Sequence, residues 1–298
     1  MSLLSIVLTF NEEAHIERCI RSLKKVSTDI LVVDSFSTDK TTDIAESLGV
    51  RVLQNNWINH SSQFNWALSK IRKKYDWILR IDADEVISEH LEYEINTKLS
   101  KVPAQTDGIF VNRHIMFQGK LVKYGGISSV YVLRIFRQGK GSCEKRWMDE
   151  HIHVLGKTTK FSGEIIDNNL MSLSQWIEKH NNYASLEAID HLNKKYNLMD
   201  HNSIGSIKTT TKTVFKRWVK DNIYNLLPLK LRVVIYFLYR FFFKFGFLDS
   251  PEGRSFHVLQ GFWYRYIVDI KILEIERYVK KNGVDIKIAI KKICNVEV

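Results

Sequence analysis

The first hundred residues alternate between short apolar runs and segments in which apolar residues recur at helical spacing. The apolar runs lie at 5–10, 29–34, 51–53 and 77–82. Helical spacing follows the first run at Ile16, Cys19, Ile20 and Leu23, and returns from Thr41 and between Phe64 and Ile71. Strand and helix alternating in this way indicate βαβ units and a parallel sheet. We therefore predict an α/β fold with a Rossmann-like, mostly parallel sheet flanked by helices.

Three of the predicted strands end in polar residues. Asn11 and Glu13 follow the first strand, Asp34 ends the second, and the segment WILRIDADE ends in Asp82 and Asp84. Because parallel strands bring their carboxyl ends to one edge of the sheet, where open α/β folds bind ligands, these residues predict a nucleotide-type site. A hard divalent cation bound there takes its remaining oxygens from water and a substrate diphosphate.

The spacing of Asp82 and Asp84 is weak as a signal on its own. Two glutamate pairs, Glu92/Glu94 and Glu274/Glu276, have the same spacing and are interpreted as solvated helix faces. The apolar strand before Asp82 distinguishes the aspartate pair from both, because it delivers the carboxylates to the predicted ligand-binding edge.

At this point the chain resembles a known family. The segments SIVLTFNEE, ILVVDSFSTDKT and WILRIDADE are similar, in order and spacing, to the three signature segments of the family 2 glycosyltransferases, which have the glycosyltransferase A-type fold. WMDEHI at 147–152 and the tail LDSPEGRSFHVLQGFWYRYIVDIK extend the resemblance toward bacterial enzymes that build lipopolysaccharide cores and capsular polysaccharides. Many members have a proline where Leu8 or Thr9 stands here, a departure expected to alter a loop.

The resemblance implies a donor site for a nucleoside-diphosphate sugar, with uridine diphosphate as the usual carrier. Mg²⁺ or Mn²⁺ held by Asp84, with Asp82 in support, would neutralise the diphosphate leaving group. The remaining donor-site residues that the resemblance implies are Thr9, Asn11, Glu13, Asp34 and Asn65, with Gln63 beside the last. For Asn11, Glu13 and Asp34 the alternative is a structural role in capping turns.

Asp149 and Glu150, in WMDEHI, are the candidate general bases for an acceptor hydroxyl. The resemblance places the base in such an acidic pair and implies inversion at the anomeric carbon, but it leaves the choice between the two open. The alternatives are a solvated pair of loop carboxylates and a metal site that includes His151 and His153.

The charge of the chain is concentrated near its end. Residues 201–298 hold 18 Lys and Arg against 8 Asp and Glu, a net charge of +10, out of +11 for all 298 residues. The three cysteines are widely spaced and suggest no disulfide framework, which favours a reducing compartment. The first residues, MSLLSIVLTF, lack the basic segment of a signal peptide and are expected to enter the first strand directly.

The basic region is also rich in aromatic residues. We expect a helix over 207–227, ended by Pro228, and then an apolar run over 231–247 with a polar stripe at Arg232, Tyr236, Arg240 and Lys244. That run is shorter than the ~20 residues that span a bilayer and is interrupted by cations, so it predicts a helix lying in the membrane interface, with the cations reaching outward. The alternative is ordinary core packing, and the same choice applies to the aromatic segment at 262–266.

These patterns predict two regions, a catalytic nucleotide-sugar-binding domain at 1–205 and a basic helical membrane-associating region at 206–298. The predicted activity is metal-dependent, inverting transfer of a sugar to a lipid-linked or lipopolysaccharide acceptor. The predicted location is cytoplasmic, peripheral on the inner face of the cell membrane. A nucleic-acid partner is not expected, because the apolar run at 231–247 is too continuous to line a solvated binding groove.

Two other classes of function remain as alternatives. A sugar nucleotidyltransferase would need a glycine-rich basic loop after the first strand, and residues 9–16 contain neither Gly nor Lys. A non-catalytic membrane-binding or nucleic-acid-binding module would not need Asp82, Asp84, Asp149 and Glu150.

Overall fold

A computed structural model describes residues 1–144, 151–196, 198 and 228–297. The chain divides into two compact units, Met1–Met171 and Ser172–Val298. The predicted boundary at residue 205 lies outside the described residues and stays a prediction. Each unit is described by itself below.

The first unit begins with the predicted strand–helix alternation. Its first half contains β1 (Leu3–Thr9), α1 (Ile16–Leu23), β2 (Asp29–Asp34), α2 (Thr41–Ser47), β3 (Arg51–Gln54), α3 (His60–Ser69) and β4 (Trp77–Asp82). Its second half contains β5 (Glu85–Ile87), α4 (Glu89–Lys98), β6 (Thr106–Phe117), β7 (Lys120–Leu121), β8 (Val130–Arg137), β9 (Gly141–Cys143), β10 (Ile152–Val154) and β11 (Lys157–Asn168).

The main sheet has the strand order β3-β2-β1-β4-β8-β6-β11-β5, with β7 beside β6, while β9 and β10 form a separate pair. β1 pairs in parallel with β2 and with β4, and β2 pairs in parallel with β3. From β4 onward the sheet is mixed, because β8 runs antiparallel to both β4 and β6. The predicted α/β class is confirmed, and the parallel pairs are those among β1 to β4 together with the β6–β11 pair.

Apolar packing on both faces of the sheet explains why these segments fold as they do. The four helical positions singled out in α1 are all fully buried in one core cluster, as their spacing predicts. Phe64 and Ala67 of α3 pack into a second cluster with Ile6 and Ile78. α3 begins at His60, earlier than predicted, because the Asn59 side chain accepts a hydrogen bond from the backbone of Ser62.

The interpretation of Glu94 as a solvated residue is wrong. Its side chain lies on α4 with a residue exposure of 2% and accepts hydrogen bonds from Gly163 N at 2.7 Å and Ser162 Oγ at 3.0 Å on β11. A Cβ at position 163 would overlap the backbone of Leu91, so glycine allows the close approach of α4 that this contact needs.

The described part of the second unit is helical. It contains α5 (Leu173–Tyr196), α6 (Leu231–Leu238), a π-helical turn at Tyr239–Phe243, a 3₁₀ turn at Gly246–Leu248, α7 (Pro251–Val258), a second π-helical turn at Leu259–Trp263, α8 (Tyr264–Asn282) and α9 (Ile286–Cys294). Its core joins apolar residues of α5, α8 and α9, including Leu192, Ile272 and Ile290. In the described ranges, no helix is long and apolar enough to cross a membrane.

Two expectations for the C-terminal region have different outcomes. The helix predicted over 207–227 lies outside the described residues. The expectation that Arg232 and Arg240 reach outward is wrong, because these residues are only 3% and 2% exposed. Both guanidiniums have partners inside the unit, whereas Lys244 of the same polar stripe is exposed, as expected.

Candidate active site

The carboxyl ends of β1, β2 and β4 meet at one edge of the sheet. In the strand register, Thr9 lies opposite Asp34 and Leu8 lies opposite Asp82. β1 has β2 on one side and β4 on the other, so the chain reverses its direction of winding between them. Such a switch point is where open α/β sheets leave a crevice for a ligand. The predicted gathering of polar strand ends is therefore found in the fold.

Two loops at this edge are tied together by hydrogen bonds. Asn11, with a positive φ of 53°, donates its backbone N–H to Ser37 Oγ and accepts a hydrogen bond from the backbone of Thr38 on its side-chain oxygen, both at 2.8 Å. Glu13 accepts from the backbone of Lys40 at 3.1 Å. These contacts fix the loop after β1 against the loop after β2, which gives Asn11 and Glu13 a structural role in the absence of ligand.

Asp34 organises the loop after β2. Its carboxylate is fully buried and accepts hydrogen bonds from the Ser37 backbone at 2.9 Å, the Ser37 hydroxyl, Gln54 Nε2 at 3.1 Å and Thr9 Oγ1 at 3.4 Å. These contacts fit the turn-forming alternative for Asp34. Contact with a nucleotide by Asp34 and Thr9 stays a prediction.

Asp82 lies between two buried arginines. Arg134 Nη2 donates to Asp82 Oδ2 at 3.2 Å, and Arg80 Nη2 lies 3.7 Å from Asp82 Oδ1. Burial alone would raise the pKa of Asp82, but the two guanidiniums outweigh it and hold that pKa well below its usual range. Asp82 is therefore a carboxylate at any physiological pH.

Glu85 completes this charged group. It is 1% exposed, accepts from Arg134 Nη2 at 2.6 Å, and accepts from the backbone N–H of Asp82 at 2.9 Å. Burial raises the pKa of Glu85 to about 8, with Arg134 opposing the rise and the Asp82 carboxylate adding to it. Two acidic side chains and two guanidiniums thus fix the end of β4, and we call these four residues the β4 charge cluster: Arg80, Asp82, Glu85 and Arg134.

Asp84 is held mainly by its backbone. Its carbonyl oxygen accepts hydrogen bonds from Arg18 Nη2 at 3.0 Å and from the backbone of Asn168 at 3.1 Å. Its half-buried carboxylate lies 3.5 Å from Asn169 Nδ2. The backbone of Asp84 is therefore fixed by α1 and β11.

The residues at this edge suit a hard cation that keeps most of its ligands from elsewhere. Asp82 Oδ1 is buried and lacks a hydrogen-bond partner in the described chain, and Asp84 supplies a second carboxylate at the same strand end. The described residues contain no group of three or more His, Cys, Asp or Glu able to hold a metal. Mg²⁺ commonly takes one or two carboxylates together with water and substrate phosphates, and this donor set fits that pattern.

Asn65 and Gln63 are engaged by the protein itself. Asn65 donates to the carbonyl of Cys143 and accepts from its N–H, both at 2.9 Å, which ties α3 to β9. Gln63 donates to Ser35 Oγ at 3.0 Å and accepts from Asn55 Nδ2 at 2.7 Å. The structure thus gives both residues structural contacts, and the donor role of Asn65 stays a prediction.

The candidate bases Asp149 and Glu150 lie outside the described residues. The strands that flank them, β9 and β10, pair in antiparallel register from Cys143 opposite Ile152. His153 Nε2 lies 3.4 Å from Glu144 Oε2, so one histidine considered for a metal site has a carboxylate neighbour.

Sequence reasoning missed the arginines and Glu85 of the β4 charge cluster. Arg80 and Arg134 each stand in an otherwise apolar, buried strand, and a buried cation needs an acidic partner. That rule was a usable signal for a nearby carboxylate. It did not indicate which acid, because Arg134 is 52 residues from Asp82 in the chain.

The sequence profile of Glycosyl transferase family 2 matches residues 5–138. An uncharacterized glycosyltransferase from Rickettsia bellii is 47% identical over 91 residues, which is 30% of either protein. The chain therefore spans under a third of that relative's length. The lipopolysaccharide core biosynthesis glycosyltransferase LpsC of Rhizobium meliloti is 27% identical over 199 residues, covering 63% of this chain and 71% of LpsC.

Solved structures give a weaker similarity. The structure of residues 1–349 of S. aureus TarS in complex with UDP-GlcNAc is 14% identical, covers 95% of this chain and 92% of its own, and has a TM-score of 0.42. A Mycobacterium tuberculosis glucosyl-3-phosphoglycerate synthase with Mn²⁺ and uridine diphosphate has a TM-score of 0.32 over 38% of this chain, at 19% identity.

Proposed function

We propose that the protein transfers a sugar from a nucleoside-diphosphate donor, a uridine diphosphate sugar by preference, to a lipid-linked or lipopolysaccharide acceptor. The match of residues 5–138 to Glycosyl transferase family 2 supports this reaction class. The observation that carries the proposal is the switch point between β1 and β4, where Asp82 and Asp84 end a buried strand. A crevice with two carboxylates at its edge suits a diphosphate bridged by a hard cation.

In this proposal Asp84 and Asp82 hold Mg²⁺ or Mn²⁺, which supplies Lewis-acid neutralisation of the diphosphate leaving group. Arg134 and Arg80 keep Asp82 ionised and in place, and Arg18 fixes the backbone of Asp84. Because these partners hold the carboxylates before the donor arrives, little reorganisation is needed as charge develops.

The donor's nucleoside is proposed to lie along the loops after β1 and β2. Asn11 and Glu13 are accessible there, whereas Thr9 and Asp34 lie beneath them and shape the loops. Binding by Asp34 would exchange one of its present hydrogen bonds for one to the base or ribose.

Asp149 or Glu150 is proposed to remove the proton from the acceptor hydroxyl. A sugar hydroxyl is a weak nucleophile until a base assists it, and one displacement with one base inverts the anomeric centre. The name of LpsC, a lipopolysaccharide core biosynthesis glycosyltransferase, supports an acceptor of that class. The net charge of +10 over 201–298 supports a peripheral location on the anionic inner face of the cell membrane.

The test is a panel of nucleotide sugars scored for metal-dependent donor hydrolysis and transfer. We expect Asp84→Asn to lower the rate on the order of 100-fold or more, because a stabiliser of developing charge is lost. Asp76→Asn is the matched control. Asp76 is exposed and directly precedes the first residue of β4, at the end of the strand away from Asp82 and Asp84. Full activity in Asp84→Asn, or activity that persists in chelator, would overturn the metal role.

The same panel separates the base from the donor site. Asp149→Asn and Glu150→Gln are compared in sugar transfer and in titration with the donor. Substitution of the true base should abolish transfer and leave the affinity for the donor near the wild-type value. Full transfer in both variants would remove both residues as candidates.

A further inference from the structure

α6 and the turn that follows it have an apolar outer face. That face, which we call the outer apolar face, consists of the exposed residues Leu231, Val234, Ile235, Leu238, Tyr239, Phe242, Phe243 and Phe245. Most of these recur at intervals of three and four residues, as one side of a helix requires. Phe243 is 75% exposed and Phe242 is 52% exposed. Contiguous apolar surface of this kind marks a site of interaction.

The inner face of the same helix buries an ion pair beside the apolar Val233. Arg232 and Asp269 of α8 are 3% and 1% exposed, and Arg232 Nε lies 3.0 Å from both oxygens of that carboxylate. The backbone of Lys230 also donates to Asp269, at 2.9 Å. A charged pair thus occupies the position that apolar residues hold in an ordinary soluble helix.

Further along, Arg240 enters a second buried polar group. It donates to Gln260 Oε1 at 2.7 Å, and its Nη2 lies 3.4 Å from Nδ1 of His257. His257 Nε2 in turn lies 2.8 Å from Asp249 Oδ2, and all three charged or titratable side chains are buried. Gly261 makes room for this group, since a Cβ there would stand 3.3 Å from Arg240 Nη1.

The helix and the turn after it therefore bury two arginines beside Val233 and expose a row of large apolar side chains, which is not the pattern of an ordinary soluble amphipathic helix. We propose that the outer apolar face inserts into the acyl boundary of a lipid membrane. This inference deepens the proposed function by naming the surface through which the enzyme meets a membrane-borne acceptor, and it rests on that function only for the identity of the acceptor.

A lipid surface fits this face better than a protein partner does. Basic residues adjoin it in the sequence and are exposed, with Lys230 before α6, Lys244 after the π-helical turn and Arg254 on α7. The amine of Lys244 lies 5.6 Å from the centre of the Tyr239 ring. Aromatic residues bordered by cations suit the depth at which acyl chains meet anionic headgroups.

Phe245 supports the proposal independently. Its φ of +59° lies in the left-handed region, where a bulky residue is strained and glycine is favoured, yet its side chain is exposed. Within the folded unit, exposure leaves the aromatic ring with little packing to offset that strain. Insertion of the ring into lipid would supply the missing stabilisation.

The test measures binding of the full chain to vesicles of phosphatidylcholine, alone or mixed with phosphatidylglycerol, by flotation. The variant is Phe242→Gln/Phe243→Gln, and the matched control is Tyr93→Gln/Leu155→Gln, which removes two residues of the first unit that are 62% and 89% exposed. We expect the Phe242/Phe243 variant to bind vesicles on the order of 10-fold or more weakly than the wild type, and the control to bind as the wild type does.

The same binding is measured as salt is raised from about 0.1 M to about 1 M, which shortens the Debye length from about 10 Å to about 3 Å. The wild type should retain a salt-resistant fraction that the Phe242/Phe243 variant lacks.

Phe245→Gly is the second variant, because it removes a ring while relieving backbone strain. We expect weaker vesicle binding with an unchanged or higher melting temperature. Its loss of binding therefore cannot arise from unfolding, which keeps the test decisive if the double variant is unstable.

Wild-type binding by both variants, or the absence of vesicle binding by the wild type, overturns the proposal. Conversion of an oligomeric wild type to a monomeric variant also overturns it, in favour of a second copy of the chain as the occupant. Donor hydrolysis is measured on the same samples. Failure of hydrolysis with normal vesicle binding rejects the proposed function alone, and the opposite result rejects the outer apolar face alone.

Discussion

At the scale of single residues, the candidate site depends on charges that the protein has already paired. Arg134 interacts with both Glu85 and Oδ2 of Asp82, and Arg80 lies close to Oδ1, the other carboxylate oxygen of Asp82. A buried ion pair adds little stability compared with an apolar pair, but removal of one partner leaves an uncompensated charge. We therefore expect the β4 charge cluster to fix the position of the end of β4 rather than to add stability. We also expect single substitutions in it to be strongly destabilising.

Arg134→Met should lower the free energy of unfolding by about 3–5 kcal/mol, because Glu85 and Asp82 then lose their shared cation. Urea denaturation of Arg134→Met, Glu85→Gln and the double variant measures this. The double variant should be less destabilised than the sum of the two single variants, because Arg134 and Glu85 contact each other directly and the second substitution removes a partner that the first has already lost.

Arg137→Met is the control on the same strand. Arg137 stacks 4.3 Å from the centre of the Trp77 ring and donates to the carbonyl of Thr106 at 2.9 Å, without a carboxylate in those contacts. Its substitution should cost clearly less than that of Arg134. Equal losses at the two positions would mean that charge pairing does not dominate at Arg134.

The sequence predicted the residues that end strands better than the residues that support them. Asp82 and Asp84 follow an apolar strand, and strand periodicity alone places them at the sheet edge. The pairing of Arg134 with Asp82 depends on β8 lying beside β4, which is a long-range arrangement without a local signal. The contact of Asn65 with the β9 backbone likewise depends on a residue 78 positions away, while its role at the donor stays a prediction.

At the scale of secondary-structure elements, periodicity identified helices but did not determine which face is buried. The spacing in α1 placed its buried residues correctly because only one face was apolar. In α6 the spacing separated a cationic stripe from an apolar stripe, and the natural expectation put the cations outside. Asp269, Gln260 and His257 reverse that choice, and they lie in segments 17 to 37 residues further along the chain.

The contact of Arg240, in the π-helical turn after α6, with His257 of α7 should make the second unit sensitive to acid. Arg240 can only donate, so Nδ1 of His257 accepts from it and Nε2 carries the proton that is donated to Asp249. Burial lowers the pKa of His257 from its ordinary value of 6.5, although Asp249 partly opposes the shift. A neutral His257 in the folded state and a protonated one in the unfolded state mean that stability falls as pH drops below about 6.5.

Melting temperatures of the wild type and His257→Gln between about pH 8 and pH 5 test this expectation. His257→Gln should be less stable at high pH and should show a flatter decline in acid. His90→Gln, at an exposed histidine of the first unit, is measured alongside as the control for loss of a histidine elsewhere. A His257→Gln profile as steep as that of the wild type would contradict the assignment of a depressed pKa.

At the scale of the whole molecule, charge is divided along the chain. Residues 1–200 carry a net charge of +1 and residues 201–298 carry +10. The proposed donor site lies in the nearly neutral part, while the basic part is the one proposed to meet the membrane. The two activities should therefore respond differently to salt.

Transfer to an acceptor embedded in anionic vesicles should slow as ionic strength rises, whereas hydrolysis of the donor in solution should not. Each Lys or Arg close to an anionic leaflet contributes about 1 kcal/mol, and this attraction is screened by salt. Parallel rate measurements at several salt concentrations, with neutral vesicles as the control, check the expectation. Equal salt dependence of the two reactions would indicate that the basic region does not recruit the enzyme to its acceptor.

The central position of β1 has a consequence for synthesis of the chain on the ribosome. All seven residues of this strand are buried in the folded protein, and its two neighbours are residues 29–34 and 77–82. During translation the second neighbour emerges much later than the first, so a highly apolar strand has one open edge in the interval. Open strand edges recruit other chains, which makes the nascent amino-terminal segment a target for chaperones and a point of aggregation if elongation stalls before residue 82.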